Sequence, residues 1–119
     1  MGFQVIHKEE IIWSPGLDVG NLFLDQLKAL EKIIDHKSGI DSFLADELEV
    51  DQAVLEPFIN IVLERLEKTN SGPYFALVQG SLQIAIALNA QITGRWPAVS
   101  KRLMPIIEGA KTVMRPIPL

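Results

Sequence analysis

The sequence predicts an all-α domain, a compact bundle of four to six helices preceded by a small N-terminal β-hairpin or extended arm. Three observations lead there. Apolar residues recur at helical spacing from Val19 to Ile34 and again from Leu55 to Leu66. The 26 residues from Thr69 to Gly94 carry no formal charge and read as one buried, central helix. Short runs rich in β-branched and aromatic residues gather in the first thirteen positions. A chain of 119 residues, 48% apolar and 22% charged, suits a single domain, 1–119, with one core of its own.

The elements follow in order. Phe3-Gln4-Val5-Ile6-His7 and Ile11-Ile12-Trp13, separated by Lys8-Glu9-Glu10, form the hairpin or arm, although the turn lacks Asn-Gly or Asp-Gly. Ser14-Pro15-Gly16 ends it. Asp18 is positioned to cap a first helix whose Val19, Phe23, Leu27, Leu30 and Ile34 share one face, and Ser38-Gly39 stops that helix with Gly39 at the left-handed position. Ile40, Phe43, Leu44 and Leu48 have helical spacing and predict a short helix between Ile40 and Val50. Asp51 caps a helix to about Lys68 with Leu55, Phe58, Ile59, Val62 and Leu66 inward, and Pro57 predicts a kink or a restart within it. Asn70-Ser71-Gly72-Pro73 is a loop, and Tyr74 to Ile92 is the central helix, closed by Thr93-Gly94. Gly80 inside it suggests a close helix crossing. Pro97 opens a last helix that Pro105 kinks or restarts, and Arg115-Pro116-Ile117-Pro118-Leu119 lies extended.

Charge is distributed unevenly. From Ser38 to Glu64 there are seven carboxylates and no Lys, Arg or His. Residues 1–70 hold fourteen acids against six bases, net −8, whereas residues 71–119 hold one acid against five bases, net +4. Clustered like charges repel, so such a stretch calls for water, a cation or a basic partner to balance it. Five scattered bases on a chain of pI about 5.1 argue against nucleic-acid binding. Gln79, Gln83, Asn89 and Gln91 within the uncharged stretch argue for a buried helix rather than a membrane span. The absence of Cys removes disulfides and thiolate chemistry and suits a reducing cytoplasm. The N-terminus has neither a basic leader nor a long apolar run, and Gly2 is followed by Ile6 where a myristoylation signal needs Ser or Thr.

No catalytic signature stands out. Asp46 to Asp51 fails as an EF-hand because the sixth and twelfth positions hold Asp51 and Pro57 instead of Gly and Glu. Asp46 and Glu47 are adjacent and diverge on a helix, which is unsuited to paired acid–base work. His7 and His36 have no companion at metal-ligand spacing. Val78-Gln79-Gly80-Ser81-Leu82 is not a nucleophile elbow, and there is no GxGxxG or P-loop. The protein is therefore expected to be no enzyme and to need no cofactor or metal. Trp13 and Trp96 are expected as core or lid residues, and an exposed Trp96 beside Arg95 would instead mark a contact hot spot.

Trp13-Ser14-Pro15, Val19-Gly20-Asn21-Leu22-Phe23-Leu24, Ser38-Gly39-Ile40, Ala45-Asp46-Glu47 and Asp51 loosely resemble a family of small uncharacterised bacterial helical proteins over residues 13–58. That resemblance implies no activity. In size, acidity and helix content the whole chain is similar in character to immunity proteins of bacterial toxin systems, including contact-dependent inhibition. The leading expectation is a non-enzymatic binding module, most concretely an immunity protein or antitoxin that neutralises a basic, nuclease-type toxin. A nuclease site is cationic because it holds phosphates, and carboxylates can occupy it. The residues expected to make that contact are Asp41, Asp46, Glu47, Glu49 and Asp51, with Phe43 as apolar anchor. The alternatives are a homo-oligomeric structural or regulatory protein and a small metal-dependent enzyme using the same carboxylates.

Overall fold

A computed structural model describes residues 3–44 and 46–114, the side chain of Phe43 aside. In chain order these residues form β1 (Gln4–His7), β2 (Glu10–Trp13), α1 (Leu17–Ile34), β3 (Ile40–Leu44), β4 (Glu47–Val50), α2 (Gln52–Lys68), α3 (Gly72–Thr93), a 3₁₀ turn (Lys101–Leu103) and α4 (Met104–Val113). The strands make one mixed sheet in the order β2-β1-β4-β3. The expected all-α bundle is thus corrected to a mixed α and β fold: β1 and β2 are half of a four-stranded sheet and not an arm. Residues 115–119, expected to lie extended, are outside the described residues.

The correction falls on residues 40–50, read from the sequence as a short helix. Glu47-Leu48-Glu49-Val50 alternates strictly, with Leu48 and Val50 buried and Glu49 exposed, and that is the period of a half-buried strand. β3 pairs antiparallel with β4, and β4 pairs parallel with β1, so the segment completes its hydrogen bonding with residues some forty positions away. The Gln4 N–H adds a 2.9 Å bond to the Asp46 carbonyl. Over so few residues the same apolar set fits either period, and the distant partner β1 decides between them.

The N-terminal hairpin closes without Asn-Gly. Lys8 and Glu9 form its two-residue turn with φ of 48° and 71°, the left-handed values that a tight hairpin requires at both central positions. A bulge between Val5 and Ile6 turns Ile12 and Trp13 together toward the core, where Trp13 meets Phe23 edge-on at 5.6 Å.

α1 buries Phe23, Leu27, Leu30 and Ile34 as expected, but Val19 is 49% exposed. Gly20 takes the inward place, because a Cβ there would collide with the Phe3 ring. Gly16, not Asp18, is the N-cap of α1, and Asp18 stands in the first turn, where its charge complements the helix dipole. The helix ends at Asp35, which adopts the left-handed conformation. Gly39, expected at that stop, instead leads into β3 with φ of 82° and lies against the start of α2.

α2 begins after Asp51 and buries Leu55, Phe58, Ile59, Val62 and Leu66, as expected. It runs through Pro57 as one helix. The carbonyl that Pro57 leaves without a donor is that of Ala53, an exposed residue, so water can satisfy it. At the other end Arg102 donates to the carbonyls of Leu66 and Thr69, the latter at 2.6 Å, and its guanidinium lies 5.5 Å from the Phe75 ring centre. One side chain thereby caps α2 and holds the start of α3.

α3 is the central helix. Ser71 Oγ accepts from the Tyr74 N–H at 3.2 Å, Pro73 sits in the first turn, and Gly94 closes the helix with φ of 74°. Its length and composition would allow a membrane crossing, and half of that window is buried inside the domain. Residues 95–100 are irregular, so Pro97 opens no helix; the 3₁₀ turn precedes α4, which restarts with Pro105 in its first turn. Gly80 marks no close crossing: it is exposed, and a Cβ there would meet nothing within 4 Å. Gly80→Ala should therefore raise stability by about 0.5–1 kcal/mol, because Ala leaves less chain entropy to lose in an open helical position. A urea midpoint equal to or below that of the wild type would show that the site is not open.

Candidate functional site

The candidate surface is the sheet face turned away from the helices. β1 and β4 run parallel in the register Gln4↔Glu47, Val5↔Leu48, Ile6↔Glu49. Side chains alternate across a strand, so the buried Val5, Leu48 and Val50 put Gln4, Ile6, Glu47 and Glu49 on the other face. β3 adds Asp41 opposite Glu49 and Leu44 opposite Glu47, and β2 adds Ile11 opposite Ile6. Ile11 and Leu44 are 55% and 58% exposed. The face combines open apolar side chains with carboxylates, and Asp41 and Glu49 confront each other across a strand pair, an arrangement that like charges disfavour.

Part of that charge is answered from α1. Lys28 Nζ bonds the Asp41 carboxylate and lies 3.5 Å from Glu31 Oε1. Partial burial acts to lower the Lys28 pKa, but the Asp41 hydrogen bond and the charges of Glu31 and Asp41 outweigh it, leaving the ammonium pKa raised. Glu31 Oε2 in turn accepts from the Ser38 N–H at 3.0 Å and its hydroxyl at 2.7 Å. The fully buried Ser38 hydroxyl also accepts from the Ile40 N–H at 3.2 Å and reaches the Ile40 carbonyl at 3.4 Å. Ser38 thus occupies backbone groups of edge strand β3. On the other edge strand, β2, Gln91 Nε2 donates to the Ile12 carbonyl at 3.0 Å. Each edge strand thus has one backbone residue engaged by a side chain, Ile40 of β3 and Ile12 of β2.

Where β1 and β4 end side by side, a groove of about 890 Å³ opens. Among its lining residues are His7 and Lys8 from the hairpin, Lys37 and Gly39 before β3, Asp41, Glu49 and Asp51, the first residues of α2, and Ile92, Thr93 and Arg95 at the end of α3. Arg95 Nη2 is paired with Glu56 at 2.9 Å. Asp51 is the N-cap of α2, as expected, but makes no side-chain capping bond; its backbone N–H donates to the Gly39 carbonyl at 2.7 Å.

The structure therefore divides the residues singled out from the sequence. Asp41, Glu47 and Glu49 share the sheet face, and Asp41, Glu49 and Asp51 share the groove. Asp46 stands in the turn between β3 and β4, half-buried. The Phe43 side chain, expected as an anchor, lies outside the described residues; Ile6, Ile11 and Leu44 are the apolar residues seen beside the acids. Sequence reasoning missed Lys8, Lys37 and Arg95 as neighbours of these carboxylates. Only the two unfavourable turn residues Lys8-Glu9 could have flagged that region. The His36 ring lies 6.5 Å from that of Phe58, tilted by 40°, and Trp96 is 40% exposed with Lys111 Nζ 5.7 Å from its ring centre. Among the described residues no three His, Asp or Glu side chains converge as a metal site.

One family model matches this chain over residues 1–119. The chain belongs to that family, a family of unknown function (DUF6086). No curated protein and no solved structure matches it.

Proposed function

We propose that the protein is a non-catalytic binding module that holds a basic protein partner against the open face of its sheet, most concretely as an immunity protein or antitoxin for a nuclease-type toxin. The observation that carries this reading is the placement of Glu47 and Glu49. Both sit on a central strand, on the face away from the core, and make no ion pair among the described residues. Exposed Leu44 stands opposite Glu47, and Ile6, with exposed Ile11 beyond it, stands opposite Glu49. Carboxylates around apolar contacts suit a cationic surface that is steered in by charge and held by burial.

The test is Glu47→Lys. Affinity for the partner recovered from the native host should fall at least about tenfold and lose part of its salt dependence. Folding should shift by no more than about 0.5 kcal/mol, as for other surface changes. Lys32→Glu, on the exposed side of α1, is the control. Calorimetry at low and moderate salt reads both quantities, and equal affinity with equal salt slope in Glu47→Lys would remove the sheet face from the interface.

A further inference from the structure

We infer that the groove at the end of β1 and β4 receives an extended segment of the partner, one carrying a basic side chain between two acidic ones. This rests on the reading of the protein as a binding module; the groove shares Asp41 and Glu49 with the sheet face but is not lined by Glu47. Charge complementarity carries it. Of the charged residues lining the groove, Asp41 is taken up by Lys28 and Arg95 by Glu56. Lys8, Lys37, Glu49 and Asp51 make no ion pair among the described residues.

Their order along the sheet alternates in sign. Lys8 follows the end of β1, Glu49 and Asp51 stand at the end of the neighbouring β4, and Lys37 precedes β3 on its far side. A phosphate alone would meet the two carboxylates, and a metal ion alone would meet the two lysines. A chain with its cation over Glu49 and Asp51 and its carboxylates toward Lys8 and Lys37 satisfies all four. The groove's volume of about 890 Å³ accommodates several residues and lies at the carboxyl ends of paired parallel strands, where open sheets commonly take ligands.

The hairpin turn points the same way. Lys8 and Glu9 hold left-handed backbone conformations that Asn and Gly would adopt at lower cost. Lys8 borders both this groove and a second of about 430 Å³ lined by Glu10, Ile11 and Ile12 of β2. A residue kept at a conformational disadvantage on the rim of two grooves fits a recognition role.

The experiment is a backbone-amide NMR titration of the isotope-labelled protein at low salt. The probe is the blocked peptide Gly-Glu-Arg-Glu-Gly, compared with its charge-reversed counterpart Gly-Arg-Glu-Arg-Gly, each to about 5 mM, a range that detects affinities near 1 mM. The first peptide should produce saturable shifts at Lys8, Lys37, Asp51 and Ala53 and bind about tenfold tighter than the second. Lys8→Asn combined with Glu9→Gly should raise the melting temperature yet weaken that peptide about fivefold or more. Glu47→Lys should leave it unchanged, because Glu47 does not line the groove, so the groove and the Glu47 contact fail or stand separately. No saturable shift at these amides, equal binding of the two peptides, or undiminished binding by the turn variant would each overturn the assignment.

Discussion

Leu82→Asp should abolish the folded state at room temperature. Leu82 is fully buried in α3, the helix that lies at the centre of the core. An unpaired carboxylate there costs about 3–5 kcal/mol, and the lost burial of the Leu side chain removes about 2 kcal/mol more. Against a total stability of about 5–15 kcal/mol for an ordinary domain, the sum consumes most or all of what holds the fold. Leu77, earlier in the same helix, is 80% exposed. Leu77→Asp should change stability by no more than about 0.5 kcal/mol. Circular dichroism at about 25 °C, held fixed because stability varies with temperature, reads both variants. A folded Leu82→Asp protein with a near-native urea midpoint would mean that α3 does not lie at the centre.

Gly39→Ala should have the next largest effect, about 2–4 kcal/mol of destabilisation. Two causes add. The φ of 82° is unfavourable for a residue with a Cβ, and that Cβ would stand 2.6 Å from the Asp51 carbonyl oxygen and 2.9 Å from the Leu55 nitrogen. Both are backbone atoms of the β4–α2 junction, so relief requires moving the start of α2. Gly94 separates the two causes. Its φ is 74°, but a Cβ there would meet nothing within 4 Å, so Gly94→Ala should cost only about 1 kcal/mol. Urea midpoints decide: equal losses in the two variants would refute the close approach of Gly39 to α2. Because Gly39 and Asp51 both line the groove, the Gly39 variant should also disturb the amides used to detect peptide binding there.

By itself the sequence determined the long helices. The faces of α1 (Val19 apart) and α2, the approximate span of α3 and its stop at Gly94 follow from helical spacing and from groups that act within one turn of their neighbours. The excess of carboxylates between residues 38 and 64 was equally legible, since counting needs no coordinates. Tertiary structure alone decided that residues 40–44 and 47–50 are strands: four or five residues make no helix or sheet independently, and β4 owes its conformation to Val5 and its neighbours in β1. It also decided which carboxylates meet. Strand alternation sends Glu47 and Glu49 to one face, Lys28 reaches Asp41 from a helix thirteen residues away in sequence, and the parallel pairing of β1 with β4 brings Lys8 and Asp51 to one groove. Local signals act over one turn or one pleat, whereas the site is assembled from ladder hydrogen bonds and ion pairs between distant segments, and no short-range pattern encodes those.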